Sequence, residues 1–366
     1  MNILQLDDFK RLCRVRNDNA ATIYLPTHKS GVEVNEGIDR IAFKNEVHKI
    51  MDLLEAKGFE EGFVKKYMRP FFDLLQKDDF WKSTTEGLAV FATECDFYSY
   101  KLPFSVEAHS SLANSFMLMQ LLPVLDDAHY FILALEQNHS ALYRCTKYSI
   151  KEVDTKARLP KMKEIMGQYE LAGQNEGREY DTEDHYLYEF SRTINAVIKE
   201  LLHDEKAPLV LAGAEYFHHI YSDVNTYHHL LHKGLNNPAN KSKRELHAES
   251  LQLLKDELGK PLTDGIQRYK ALAGSGQTSY DLETLVFAAL DGKIEQAFVQ
   301  EKHIWGKINQ QDRTIELHDE QEAGDQCLVN LIACTTIEDS GKAFLITHDQ
   351  QPEKELNPPV LAIFRY

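Results

Sequence analysis

The segment KYSIKEVDTKARLPKMK (147–163) sets Lys147, Lys151, Lys156, Arg158, Lys161 and Lys163 against two acids, Glu152 and Asp154. Clustered lysine and arginine heads gain free energy on a phosphate backbone by releasing its condensed counterions. This segment is therefore the candidate RNA contact, and a solvated face plus a loop is its plain alternative. A second group, HHIYSDVNTYHHLLH, holds His218, His219, His228, His229 and His232, with His228 and His232 four apart on an expected helical face. Such a pair can ligate zinc, but zinc also needs a third ligand and an oriented outer shell. No H-E-x-x-H and no nearby cysteine supplies them, and His232 with Lys233 suits a helix C-terminus as cations. No metal site and no cofactor is expected. GSGQTS (274–279) could hold a phosphate between tight glycines and a helix N-terminus. A turn feeding an N-cap explains the same letters. Arg40 and Lys44 share a helical face that could meet phosphate, or pair with Glu33 or Glu36.

Composition narrows the partners. The chain has 366 residues, 43% hydrophobic and 27% charged, with a net charge of −16. A length of this order favours two or three domains. So acidic a protein is a poor nonspecific binder of nucleic acid. Contact with RNA must then be local, and no DNA partner is expected. The first residues, MNILQLDDFKRLCRV, alternate charge and hydrophobe, which is no signal-peptide core. FMLMQLLPVL is too short to span a bilayer and carries a proline, so no membrane partner is expected. Cys13, Cys95, Cys145, Cys327 and Cys334 form no C-x-x-C pair, which points to reduced thiols in the cytoplasm.

The elements that would carry these groups read as α/β throughout. ATIYLP (21–26) is a strand, and residues 36–55 read as a helix with Ile38, Ile41, Val47, Ile50, Leu53 and Leu54 at mainly helical spacing. FVKKYMRPFFDLLQK is a helix bent or broken at Pro70, and GLAVFAT and FYSYKLP are paired strands. HYFILAL, ALYRCTK and SIKEV follow as strands, with EQNHS as a hairpin signal. After them comes a long loop ending at Thr182, an expected N-cap for a helix to about His203 with Leu187, Phe190, Ile194, Val197 and Leu201 on one face. APLVLAG (207–213) suits a buried parallel strand. A mainly parallel sheet is expected there, then a short helix closing at LLHKG with Gly234 as left-handed cap. NNPANKS is the expected linker. Beyond it lie a helix over 245–258, another opened by Thr278 with Asp281, and strands IEQAFV, GKAFLIT and PPVLAIFRY. The expected domains are 1–125, 126–236 and 237–366.

The order of strand hairpin, long loop with Gly-Gln, long helix and LVLAGAEYF resembles the middle domain of archaeal and eukaryotic class-1 release factors and their pelota-type rescue relatives. ALDGKIEQAFV and the closing ACTTIEDSGKAFLITHDQQPEKELNPPVLAIFRY are similar to the last domain of those proteins. ATIYLPTHKSG, IDRIAFKNEV and GLAVFATECDFYSYKLP resemble the bacterial archaeo-eukaryotic release factor branch. The resemblance implies three α/β domains, the middle one ribonuclease H-like and the C-terminal one ribosomal-protein-like. It also implies a partner: the ribosome, through rRNA, tRNA or ribosomal proteins.

Release factors carry Gly-Gly-Gln, whose glycines let the glutamine N–H face the scissile ester and stabilise its oxyanion. The matching positions are Ala172, Gly173 and Gln174, so Gly173 and Gln174 are the candidate catalytic residues. Alanine at a position needing positive φ costs on the order of 1 kcal/mol and disturbs fine placement. Glu176, Glu179, Asp181, Glu183 and Asp184 face a single Arg178, which works against docking on phosphate. The family's Asn-Ile-Lys-Ser codon-reading segment has no counterpart in 1–125. The expectation is a ribosome-binding rescue or stalling factor. A hydrolase of peptidyl-tRNA or another RNA ester, and a noncatalytic protein-interaction module, stay open.

Overall fold

The computed structural model describes residues 4, 6–29, 31, 36–125, 128–136, 139–156, 158–165, 167, 183–346 and 358–366. The chain divides into two compact units, Met1–Asp126 with Leu262–Tyr366, and Asp127–Pro261. The three-domain division stands beside this as a proposal.

The first unit starts from an antiparallel sheet. β1 (Ala20–Pro26), β2 (Gly87–Ala92), β3 (Phe97–Leu102) and β4 (His109–Ala113) lie in the order β3-β2-β1-β4. β1 is apolar on both faces because both are covered. Ile23 and Leu25 pack with helices Ile38–Ala56 and Glu61–Leu75, while Ala20 and Tyr24 enter a second core. In helix Ile38–Ala56 the buried stripe is Phe43, Val47, Ile50 and Leu54, joined by Asp39 and Glu46. Ile38, Ile41 and Leu53 are exposed, which corrects the expected face by rotating it. Helix Glu61–Leu75 runs through Pro70 unbroken, held by Val64, Tyr67, Met68, Phe71 and Leu74 packing on either side of the proline.

The second unit holds β5 (His129–Leu135), β6 (Ser140–Thr146), β7 (Ser149–Glu152), β8 (Leu209–Gly213) and β9 (Leu235–Asn236) in the order β7-β6-β5-β8-β9. β5–β8 and β8–β9 are parallel, but β5–β6 and β6–β7 are antiparallel. The sheet is therefore mixed rather than mainly parallel, because two tight turns supply half of its pairings. Helix Glu183–Leu201 covers one face with Leu187, Phe190, Ile194 and Ile198; Val197, expected inward, is only partly buried. The opposite face receives Leu246 and Leu254. The expected 245–258 helix is two helices, Lys243–Leu253 and Lys255–Ala271, the first opened by a capping box of Ser242 and Glu245.

The C-terminal part of the first unit adds β10 (Thr278–Ser279), β11 (Ile294–Gln300), β12 (Trp305–Asn309), β13 (Thr314–His318), β14 (Gln326–Cys327), β15 (Lys342–Ile346) and β16 (Val360–Phe364). They form a sheet β10-β16-β11-β15 and a small sheet β13-β12-β14. Helix Leu328–Glu338 is buried along most of its length and shares the core that holds Tyr24, Phe91 and Phe116. Its Asn330 is satisfied inside that core. Oδ1 accepts from Leu118 N at 2.7 Å and Nδ2 donates to Phe116 O at 2.9 Å. A buried amide left without such partners costs about 1–3 kcal/mol, so the pair of bonds fixes register as well as contact. Among the described residues no helix is long and apolar enough to cross a membrane.

Candidate nucleic-acid interface

Strand alternation decides where the cations of 147–163 go. On β6, Ala141, Tyr143 and Cys145 enter the core beneath Leu246 and Leu254, while Leu142 enters the core beneath helix Glu183–Leu201. Arg144 shares the face of Leu142 and is exposed. Across the antiparallel β6–β7 pair, Arg144 stands opposite Lys151 and Tyr143 opposite Glu152. Glu152 thus belongs to the other face, where Lys243 meets it at 2.7 Å and lies 5.3 Å from the Tyr143 ring. The remaining acid is also engaged. Asp154 accepts from Lys156 N at 2.9 Å, closing a turn with Lys156 at φ 51.

Past β7 the chain stays on Arg144's side of the sheet. Val153 N donates to Leu142 O at 2.8 Å, and Val153, Leu159, Met162 and Ile165 pack into the same core as Leu142. Lys161 and Lys163 flank buried Met162 and are exposed. Arg158 is engaged with Glu200 of helix Glu183–Leu201 at 2.5 Å. Lys147 sits in the β6–β7 turn, 5.5 Å from the Tyr148 ring. Among the described residues, Arg144, Lys151, Lys156, Lys161 and Lys163 have no ion-pair partner. Arg144 lies outside the segment singled out by charge counting. Its signal was a charged residue between buried Tyr143 and Cys145 on a strand. Arg40, another candidate phosphate contact, is paired with Asp78 at 2.9 Å, and Glu33 lies outside the described residues.

The histidine group does not assemble. Helix Glu215–Val224 carries His218 and His219 but ends before His228, where Asn225 brackets Tyr227 with two hydrogen bonds, to its N (3.1 Å) and its O (2.8 Å). Leu231 N then donates to Leu209 O at 2.8 Å, so the chain runs alongside β8. His228 and His232 consequently share no helical face, and both are exposed. Gly234 is not a left-handed cap. A Cβ there would fall 2.2 Å from His218 Cε1 and 2.4 Å from Leu211 O, so glycine serves close approach. Among the described residues no cluster of His, Cys, Asp or Glu could hold a metal.

GSGQTS forms a turn with Gly274 at φ 80 and Gly276 at φ 83, and Gln277 O accepts from Phe364 N at 2.8 Å. The following helix, Leu282–Leu290, is capped by Asp281, which accepts from Thr284 N at 2.9 Å. That corrects the expected Thr278 cap, since Thr278 lies in β10. A carboxylate already occupies the helix terminus that a phosphate would use. Ala172, Gly173, Gln174 and Thr182 lie outside the described residues.

Residues 129–293 match the model of bacterial archaeo-eukaryotic release factor family 3. Over that segment the chain is similar to a release-factor-like family. The matched segment contains β5 to β9 and the whole basic stretch. No curated protein matches the sequence. Among solved structures, Pelota of Archaeoglobus fulgidus aligns at 11% identity over 100% of this chain and 93% of its own, with a TM-score of 0.38. The archaeal translation termination factor aRF1 aligns at 11% identity over 100% and 99%, with a TM-score of 0.25. Dom34 of S. cerevisiae, a translation termination-like factor that interacts with Hbs1, aligns at 12% identity over 76% and 79%, with a TM-score of 0.36. Superpositions this loose assign nothing to individual residues.

Proposed function

We propose that this release-factor-like chain acts in the cytoplasm by binding the ribosome or a ribosomal translation complex, in rescue or stalling rather than codon-specific termination. The contact is to RNA phosphates, through Lys147, Lys151, Lys156, Lys161 and Lys163, with Arg158 held back by Glu200. The observation that carries this reading is the sorting of charge on β6–β7: the acids of the segment are engaged locally, and among the described residues its lysines face solvent with no ion-pair partner. Such a face gains from phosphate contact although the whole chain is strongly acidic.

The test is co-sedimentation with ribosomes across a salt series. Wild-type binding should weaken steeply with salt, and Lys156→Glu with Lys161→Glu and Lys163→Glu should weaken it at least tenfold. The log–log salt slope should fall by about 0.7–0.9 for each phosphate that the variant no longer neutralises. Salt-insensitive binding, or a triple variant that binds as tightly as wild type, would overturn the RNA reading in favour of protein contacts. No peptide release from peptidyl-tRNA above background is expected. Release that disappears in Gly173→Val would instead make the chain a hydrolase.

A further inference from the structure

We propose that Arg144 and Lys151 together form a seat for a single phosphate of an RNA backbone. The inference rests on the ribosome-binding reading above and names the element that makes the closest contact.

Directly opposed residues on antiparallel strands hold their Cβ atoms about 4.5–5.5 Å apart, and like charges placed so destabilise the pairing. Arg144 and Lys151 are opposed in this way, both exposed, with no acid between them. A lysine on an edge strand has a plain explanation, since it deters edge-to-edge pairing. That accounts for Lys151 on β7, the edge of its sheet, but not for Arg144 on the inner strand β6. The nearest acid in sequence, Glu152, is turned to the opposite face and neutralised by Lys243. Among the described residues, no ion pair relieves the repulsion.

A phosphate answers both groups. The guanidinium fork matches two phosphate oxygens and the ammonium supplies a compact charge beside it. The occupant is a nucleic-acid backbone rather than an acidic peptide because the unpaired cations continue through Lys156, Lys161 and Lys163 on the same side of the sheet. A phosphate chain supplies anions at regular intervals without requiring any particular side chain. RNA is the nucleic acid that the ribosomal reading supplies.

The experiment uses the full chain with Arg144→Gln, Lys151→Gln, the double variant and Arg144→Lys. Two quantities are read: the urea midpoint of the free protein, and affinity for ribosomes and for a single-stranded oligoribonucleotide. Either glutamine should raise the midpoint yet weaken RNA binding about fivefold to tenfold. The double variant should weaken it little further, because one phosphate spans both heads, and Arg144→Lys should fall between. Glutamine variants that bind RNA and ribosomes as wild type does would overturn the phosphate seat while leaving the ribosome reading intact. Tighter binding of a polyglutamate peptide than of the oligoribonucleotide would overturn the choice of occupant. Wild-type protein that binds neither ribosomes nor RNA would remove the underlying reading as well.

Discussion

Two places in this molecule set like groups side by side, and they resolve the conflict in opposite ways. At the β6–β7 edge, Arg144 and Lys151 stand opposed in solvent. In the first unit, residues 107–109 run beside 301–303. There His109 and His303 stack with centroids 4.6 Å apart and planes 14° from parallel, and Glu301 lies within the field of Glu107. At the exposed pair, water solvates both heads. The second pair gives its charge up. Burial first, and His303 next, push the His109 imidazole down to about 4, and burial lowers His303 too. Glu301 moves the other way, raised by burial and then by Glu107, while Gln120 hydrogen-bonds its carboxylate. Glu46 and Lys49 face His109 from helix Ile38–Ala56, and Trp305 and Cys327 face His303. A like pair therefore invites a counter-ion in open solvent and a change of protonation where neighbours partly desolvate it.

The largest effect expected of this contrast is on stability against pH. Below an unfolded value of about 6.5 the unfolded chain protonates His109, and the folded chain does not until about 4. Folded stability should then fall as pH drops through that window, by about 2 kcal/mol between pH 7 and pH 5 from this residue. Glu301 opposes it in part. Its raised value binds a proton in the folded state first, so its contribution is lost as pH rises through that value. Urea unfolding at the two pH values, with wild type and His109→Phe, isolates the histidine. Equal pH slopes in the two proteins would break the comparison, because the stacked pair would then carry no proton linkage.

A smaller effect of opposite sign follows at pH 7. His109 Nε2 is buried and has no hydrogen-bond partner among the described residues. An unsatisfied buried polar atom costs about 1–3 kcal/mol, and an apolar ring of similar shape avoids it. His109→Phe should therefore raise unfolding free energy by about 1 kcal/mol while keeping the stack on His303. A loss of stability would mean that the imidazole nitrogen is solvated or bonded in solution, and that the seam is less dry than its geometry indicates.

The contrast also explains what could be read ahead of the structure. Pairings between neighbours in sequence are legible, β2 with β3 and β5 with β6, because alternation and turn residues are local signals. The long helix after the basic loop was visible through Leu187, Phe190 and Ile194. What failed depended on the partner surface. Ile41 reads as core by type, yet the covered stripe lies on the Phe43 side. His228 and His232 read as a helical pair until Asn225 ends the helix. The basic segment was found by counting charges along the chain, and so missed Arg144, which enters only through the register of two strands. No local pattern joins His109 to His303, since only the folded chain brings the two rings together.

The smallest effect tests the exposed side of the comparison. If Arg144 and Lys151 repel across the strand pair, a double-mutant cycle with Arg144→Gln and Lys151→Gln should return a repulsive coupling of about 0.2–1 kcal/mol in the free protein. The cycle cancels the general effect of reducing cations on an acidic chain, which single variants would mix in. Exposed charges are screened, with a Debye length of about 30 Å at 0.01 M salt and about 8 Å at 0.15 M. The coupling should therefore shrink as salt rises. The stability change of His109→Phe at pH 7 should not respond, because the seam histidines are uncharged there. A coupling of zero at low salt would mean that the two heads splay apart in solution, and the strand pair would no longer share the logic of the stacked one. A coupling that persists unchanged at 0.15 M would mean that the pair is shielded from water, and so closer in kind to His109 and His303 than its exposure allows.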